Sequence, residues 1–290
     1  MAVALAVLAH TACFAQAHPA RFDRGLLWKV EKSGRPVSYL FGTVHIPDPR
    51  LLDLSPAVLG AFKAAEQVAT EIAMDMSNLE RLMTAMLYTD GRTLESVAGA
   101  ELYRELAAIM SRIGVAESVT QRLRPWAAMT MLIVPPRNDA LPMDMALYQA
   151  AAQAGKKQAA LESIDEQVVL FESQSLEDQL VLLRDVITNY HKVAEATQKM
   201  VRSYLDRNLG ELNALAAAED LLGTKESREV NRRLMERMIS RRNVVMADRL
   251  EPLLERFSTF VAVGALHLPG ADGLLMLLER RGYRVTRADE

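Results

Sequence analysis

The spacing of hydrophobic and polar positions divides the chain into two strand-rich ends and a helical middle. Residues 26–30 and 37–41 are short apolar runs, and the Lys-Ser-Gly-Arg-Pro between them favours a turn, so the pattern predicts a β-hairpin. Ser55 followed by Pro56 predicts the start of a helix, because serine caps a helix and proline fits its first turn. Residues 67–72 form the next strand candidate.

The middle of the chain, from about residue 77 to residue 256, has mainly helical periodicity. Apolar residues recur there every three or four positions, as the buried face of a helix requires. The helical segments include 100–113, 143–154, 176–200 and 226–256. Residues 157–161 are an exception, because they indicate a short strand that leads into Glu162.

The last part of the chain returns to strand-like patterns. An apolar strand is predicted over residues 259–263, a helix over 273–281 and a final strand over 283–285. The first and last thirds therefore supply a central mixed sheet and the middle supplies a large helical section, which defines an α/β fold. No linker rich in proline, glycine or serine divides the chain. We expect a single domain over residues 18–290 with a helical insertion at about 77–256.

The first seventeen residues predict a signal peptide. They are uncharged and apolar, and they end in Ala15-Gln16-Ala17, a pattern that signal peptidases accept. Cleavage there predicts a periplasmic or secreted protein. One alternative is a transmembrane anchor, for which the run is short. Another is a lipid anchor at Cys13, although His10 stands where an aliphatic residue is expected. No later apolar run is long enough to span a membrane.

Charge and cysteine content exclude several classes of function. The 34 basic and 37 acidic residues give a formal net charge of −3. No basic stripe with interleaved aromatic residues is present, so nucleic-acid binding is not expected. Removal of the leader would remove Cys13, the single cysteine of the chain, and with it any disulfide, thiolate metal site or cysteine nucleophile. Composition leaves the oligomeric state open.

One six-residue pattern occurs twice, near opposite ends of the chain. Gly42-Thr43-Val44-His45-Ile46-Pro47 and Gly264-Ala265-Leu266-His267-Leu268-Pro269 share the pattern G-x-x-H-φ-P, where φ is Ile or Leu. Each follows an apolar strand candidate. The chain has only 14 glycines, 11 prolines and five histidines, so chance does not readily explain two matches in the same setting. Because parallel strands end at one edge of a sheet, we expect His45 and His267 to meet there.

Two neighbouring imidazoles suit a divalent transition metal. Neutral histidine is a common ligand of such ions, and two histidines with a carboxylate leave coordination positions open for water. Glu71 is the nearest strand-end carboxylate, and it could either bind the metal or act as general base. The glycine of each motif is expected to let the backbone turn sharply out of its strand, and the proline to stiffen the loop.

Each candidate also has a purely structural interpretation. A lone histidine at a strand end is more often hydrogen-bonded than metal-bound, and only the duplication of the motif lowers that expectation for the pair. Glu71 alone would be taken as a surface carboxylate. Glu162 and Asp144 could reach the pocket or cap helices. Arg242 could hold a substrate carboxylate or the anionic intermediate of the reaction, or it could form a structural ion pair.

The segments that carry these motifs resemble the TraB/GumN family. The resemblance covers nearly all of the mature chain and rests on residues 39–47, 68–71 and 260–270, with shorter matches at 161–167, 242–247 and 280–283. It implies an EreA/ChaN-like fold and kinship with Tiki-type metalloproteases. It also implies a site of His45, His267 and Glu71 that binds a divalent ion such as Mn²⁺, Co²⁺ or Zn²⁺. One departure is Ala73, where relatives often carry an acidic residue that could assist the metal.

Two functions are consistent with these residues. The first is a metal-dependent hydrolase, expected to be a peptidase that acts on an extracytoplasmic peptide, amide or other small molecule. In this function, an ion held by His45, His267 and Glu71 activates water, and Arg242 assists. The second is a non-catalytic binding protein that sequesters a peptide or haem-like ligand in the same cleft. The sequence leaves the substrate and the metal open.

Overall fold

The computed structural model describes residues 21–134, 141–216 and 222–289. The predicted signal peptide, with Cys13, lies outside these residues. Six strands form one sheet in the order β4-β3-β5-β2-β1-β6. The strands are β1 (Leu27–Glu31), β2 (Ser38–Thr43), β3 (Gln67–Thr70), β4 (Lys157–Ala160), β5 (Thr259–Gly264) and β6 (Arg284–Arg287).

The sheet is mixed. β4, β3, β5 and β2 run parallel to one another, whereas β1 is antiparallel to both β2 and β6. The predicted α/β class with a central mixed sheet is therefore confirmed. The predicted hairpin pairs Leu27 with Phe41, and Gly34 in its turn has a φ of 72°, which glycine adopts without strain. Residues 157–160 add the edge strand from the middle of the chain.

Helices fill most of the described chain between β3 and β5, and one further helix lies on each side of that region. They are α1 (Pro56–Ala64), α2 (Met76–Ala85), α3 (Leu94–Ala98), α4 (Ala100–Arg112), α5 (Glu117–Thr120), α6 (Pro125–Ile133), α7 (Met143–Gln153), α8 (Ile164–Glu172), α9 (Leu176–Thr188), α10 (Val193–Leu205), α11 (Leu209–Ala216), α12 (Lys225–Met235), α13 (Arg242–Arg256) and α14 (Leu274–Arg280). A π-helical segment, Glu236–Arg241, joins α12 to α13. Short 3₁₀ turns cover Pro49–Leu52, Tyr190–Lys192 and Ala265–His267.

Local sequence determines where helices begin and end. Ser55 caps α1 by accepting a hydrogen bond from N of Val58, and Pro56 is the first residue of the helix, as predicted. The periodicity over residues 176–200 predicted one helix, but α9 ends at Thr188 and α10 begins at Val193. Nδ2 of Asn189 donates to O of Asp185, and such side-chain bonds compete with the helical ladder.

Three apolar clusters stabilise this arrangement. The largest packs against the sheet around the fully buried Phe260 of β5. A second lies between α4, α6 and α9 around Leu106. A third, smaller cluster contains Leu182, Leu222, Val230 and Leu234. None of the helices in the described part of the chain combines the length and apolar character that crossing a membrane requires.

Candidate functional site

The four parallel strands each deliver an ionisable residue to the same edge of the sheet. Thr43 of β2 pairs with Gly264 of β5, so the two G-x-x-H motifs, which begin at Gly42 and Gly264, are offset by one residue on neighbouring strands. Ligand sites of open parallel sheets lie at this edge. The strand-edge residues are His45 after β2, Glu71 after β3, Glu162 after β4 and His267 after β5. Three of them, His45, Glu71 and His267, line one cavity together with Arg242.

Arg242, at the start of α13, contacts most of these groups. Its Nη2 lies 2.5 Å from Oε2 of Glu71 and 2.5 Å from Oε2 of Glu162. Its Nε lies 3.0 Å from each carboxylate oxygen of Glu162. Nη1 donates to O of Met238 in the π-helical segment. All three charged side chains are buried, so Arg242 forms a buried ion pair shared between two carboxylates.

His267 has a defined tautomer. Its Nδ1 lies 2.6 Å from Oδ1 of Asn243, whose orientation is set because Nδ2 donates to O of Asp272. Its Nε2 lies 3.3 Å from Nη1 of Arg242, and a guanidinium can only donate. The proton is therefore on Nδ1, and Nε2 presents a lone pair. Burial lowers the pKa of His267 to about 4, so the ring is in the neutral form that metals bind.

Glu71 is ionised although it is buried. Its Oε1 accepts a hydrogen bond of 2.7 Å from N of Gly264 and lies 3.7 Å from Nε2 of His267. Burial by itself would raise the pKa of Glu71, but His267, Arg242, His45 and the Gly264 amide lower it to about 2. Because His267 is neutral at neutral pH, the Arg242 guanidinium, His45 and the Gly264 amide keep the carboxylate ionised there. Gln167 donates to Oε2 at 3.3 Å.

His45 is the exposed member of the group, with 57% of its side chain accessible. Its Nδ1 lies 2.8 Å from Oδ2 of Asp144, a buried carboxylate. Oδ1 of Asp144 accepts from the hydroxyl of Thr43 at 2.6 Å. The charge of Asp144 raises the pKa of His45 to about 9. Both histidines therefore have an oxygen beside Nδ1, as histidine ligands of metals commonly do.

The two motif glycines permit close packing. Neither has a positive φ, so glycine is needed here for the space that a Cβ would occupy and not for a left-handed backbone conformation. A Cβ on Gly42 would lie 3.0 Å from Cα of Ala265, and a Cβ on Gly264 would lie 3.2 Å from Oε1 of Glu71. Both distances are tighter than ordinary van der Waals contact. Glycine at these positions therefore lets the strand ends and the Glu71 carboxylate approach each other.

The donor set fits a divalent cation in type and in charge. Glu71, Glu162 and Asp144 are buried carboxylates, and among the described residues the charged partner in contact with them besides His45 is Arg242. When His45 is neutral, as a ligand must be, two negative charges lack compensation.

The side chains are not arranged around an ion, however. Across the described ranges, no group of three or more His, Cys, Asp or Glu side chains is positioned to hold a metal. Arg242 contacts both Glu71 and His267. A metal that bound these two residues would therefore have to displace the guanidinium from Nε2 of His267.

Two of the partners that orient the site, Asn243 and Gln167, were not predicted. Both come from helices, and neither periodicity nor the duplicated motif marks them as neighbours of the strand-edge residues. Asp144 and Glu162 were predicted as residues that could reach the pocket or cap helices. Asp144 contacts His45, and Glu162, which follows a strand candidate in the same way that Glu71 does, contacts Arg242.

The chain is thus an α/β protein that carries two histidines and a glutamate at the carboxyl edge of its sheet. Residues 26–287 match the TraB/PrgY/gumN family, and the chain belongs to that family. No solved structure matches the chain, so the EreA/ChaN-like fold remains a prediction.

Several curated relatives are named metalloproteases. Metalloprotease TIKI2 of Danio rerio is 25% identical over 313 residues, covering 89% of this chain and 60% of the relative. Metalloprotease TIKI homolog of Amphimedon queenslandica is 26% identical over 312 residues, with coverages of 90% and 61%. Metalloprotease TIKI1 of Homo sapiens is 23% identical over 315 residues, with coverages of 90% and 61%. The chain thus spans about three fifths of these relatives, and their names support a distant, metalloprotease-like relationship.

Proposed function

We propose that this protein is a metal-dependent hydrolase of the peptidase class. The observation that carries the proposal is the convergence of His45, His267 and Glu71 on one cavity at the carboxyl edge of the sheet. The neutral His267 and the ionised Glu71 are in the protonation states that metal ligands need. The names of the relatives point in the same direction.

His45, His267 and Glu71 would hold the ion, and their nitrogen and oxygen donors suit Mn²⁺, Co²⁺ or Zn²⁺. A bound divalent ion supplies a Lewis acid, which lowers the pKa of water and polarises a carbonyl. The protein orients His267 through Asn243 and positions Glu71 through the amide of Gly264. Glu71 either binds the ion or takes a proton from water.

Arg242 also pairs with Glu162, and this ion pair can persist when the guanidinium leaves His267. Its Nε and Nη2 contact Glu162, so the guanidinium can leave Nε2 of His267 and stay paired in the site. From that position its charge would stabilise negative charge that develops on a substrate carbonyl. The substrate would be a peptide, an amide or another small molecule outside the cytoplasm, reached after removal of the predicted signal peptide. The catalytic unit would be a single domain over residues 18–290 that includes the helical insertion.

A peptide-library cleavage assay with and without chelator tests this function. Glu71→Gln should lower the rate by ~10²-fold or more, because an amide cannot accept the proton or match the charge of a carboxylate. Glu66→Gln is a matched control, since Glu66 is exposed at the opposite end of β3. We expect it to leave the rate unchanged.

The binding-protein function makes a different prediction. The wild type would turn over no member of a broad peptide and ester panel with saturating Mn²⁺, Co²⁺ or Zn²⁺, while ligand binding stayed tight. That result would replace the hydrolase proposal.

A further inference from the structure

The cavity that contains the strand-edge residues extends well beyond them into the helical section. Its volume is about 810 Å³. This lies within the range of ~300–1,000 Å³ found for small-molecule sites. The cavity therefore has room for an occupant much larger than a single amino-acid side chain.

Away from the sheet edge, the wall of the cavity is mostly aliphatic, and Phe171 is its aromatic member. Helices α6, α9, α10 and α11 contribute Met129, Ile133, Leu182, Val186, Met200 and Leu212. Met238 and Ile239 of the π-helical segment continue this wall towards Arg242.

Polar groups in the wall are few. Tyr204 lines the cavity, but its hydroxyl donates to O of Gly42 at 2.6 Å and so belongs to the sheet edge. Thr43 and Arg242 also line the cavity next to the strand-edge residues. Apart from these groups, the polar residues among the described lining residues are Glu211 and Asn231. Most charged groups of the cavity thus lie at the sheet edge, and the rest of its wall is largely apolar.

Such a wall disfavours a buried peptide backbone. Every backbone N–H and C=O taken out of water needs a hydrogen-bond partner, and the aliphatic part of the wall offers almost none. A hydrocarbon chain has no such groups. Methionine side chains such as those of Met129, Met200 and Met238 adapt their shape to a flexible chain. The chemistry of the wall therefore favours an aliphatic chain as the occupant of the part of the cavity away from the sheet edge.

We infer that the cavity binds the aliphatic chain of an N-acylated peptide or amide and places its acyl carbonyl at the strand-edge residues. The position of the carbonyl rests on the proposed function, whereas chain binding does not. Hydrolysis would join the oxygen of water to the acyl carbon and break the C–N bond. A proton would pass to the nitrogen, and the products would be a carboxylic acid and an amine.

A chain-length series tests the inference without turnover. N-acyl alanine amides with chains of 4 to 12 carbons, kept below their micelle-forming concentrations, are titrated into the wild-type protein in chelator and followed by calorimetry. Affinity should rise about fourfold per methylene, the factor that corresponds to ~0.8 kcal/mol of apolar transfer, until the cavity is full. Beyond that length it should level off.

Cavity-filling variants locate the chain. Met129→Trp on α6 and Ala196→Phe on α10 add volume at two separate lining positions, so each should make the affinity level off at a shorter chain. Met83→Trp is the matched control, because Met83 is 67% exposed and lies outside the cavity lining. It should leave the series unchanged.

Three results would overturn the inference. The first is an affinity that does not depend on chain length. The second is that folded Met129→Trp and Ala196→Phe proteins level off at the same chain length as the wild type. The third is that unacylated leucine-rich peptides with the same number of carbons bind equally tightly. Because the titration needs neither metal nor catalysis, a failure of the hydrolase proposal would be seen separately, in the cleavage assay.

Discussion

Oε2 of Glu71 and Nη2 of Arg242 lie 2.5 Å apart. The guanidinium therefore places positive charge beside this carboxylate, as a metal bound to Glu71 would. The same guanidinium faces Nε2 of His267 and pairs with Glu162. Arg242 therefore acts as the cation of the metal-free site. A divalent ion would compete with it for Glu71 and His267, and Glu162 would retain it.

The first prediction concerns this competition. Arg242→Gln leaves two neighbouring buried carboxylates without their guanidinium, so we expect a loss of ~3–5 kcal/mol in the free energy of unfolding in chelator. Urea unfolding measures it. Added metal should stabilise the variant more than the wild type, because the competing cation is gone.

A surface ion pair provides the control. Arg284→Gln breaks a contact between Arg284, whose side chain is 71% exposed, and Glu31. Exposed pairs contribute little, so the free energy of unfolding should stay nearly constant. Equal stabilisation of Arg242→Gln and wild type by metal would contradict the competition between guanidinium and ion.

The second prediction concerns the orientation of His267. Asn243→Leu removes the oxygen that accepts the Nδ1 proton, so metal affinity should fall by ~10–100-fold. Asn243→Asp keeps an acceptor oxygen but loses the amide that donates to O of Asp272. It should therefore retain most of the affinity. Calorimetric titration with Mn²⁺ compares them, and a folded leucine variant with wild-type affinity would show that Asn243 has no orienting role.

The third prediction concerns the motif glycine of β5. A Cβ at position 264 would lie 3.2 Å from Oε1 of Glu71, so Gly264→Ala should displace the carboxylate and reduce both metal affinity and hydrolysis. Gly60→Ala is the control, because nothing lies within 4 Å of a Cβ at that helical position. It should raise the free energy of unfolding by ~0.5–1 kcal/mol. If Gly264→Ala bound metal as well as Gly60→Ala does, the close approach would have no functional importance.

The strand-edge residues were the part of the site that the sequence could predict. A strand and the residue that follows it form a local pattern, so His45, Glu71 and His267 could be found from apolar runs and the duplicated motif. Asp144 was named from the sequence as a residue that could reach the pocket, but the contacts of Asp144 and Asn243 with the two histidines could not be found in this way. Asp144 and Asn243 lie at the starts of α7 and α13, and the placement of those helices over the sheet edge depends on tertiary packing.

The same limit applies to the fold. Alternating and three-to-four-residue periodicities predicted the hairpin, the central strands and most helices, because burial of one face imposes them. Periodicity did not reveal the break at Asn189 or the π-helical segment 236–241, since apolar positions continue on both sides of each. That segment leads directly into Arg242 and supplies the carbonyl of Met238 that Nη1 contacts.

The most direct test of the account is the metal content of the protein. Wild type, His45→Ala, His267→Ala and His191→Ala are dialysed against Mn²⁺, Co²⁺ or Zn²⁺ and analysed for bound metal per chain. His191 is an exposed residue of a 3₁₀ turn and serves as the control. We predict one ion per chain in wild type and in His191→Ala, and none in the two motif variants. A wild type without metal, or motif variants that keep it, would contradict the shared site.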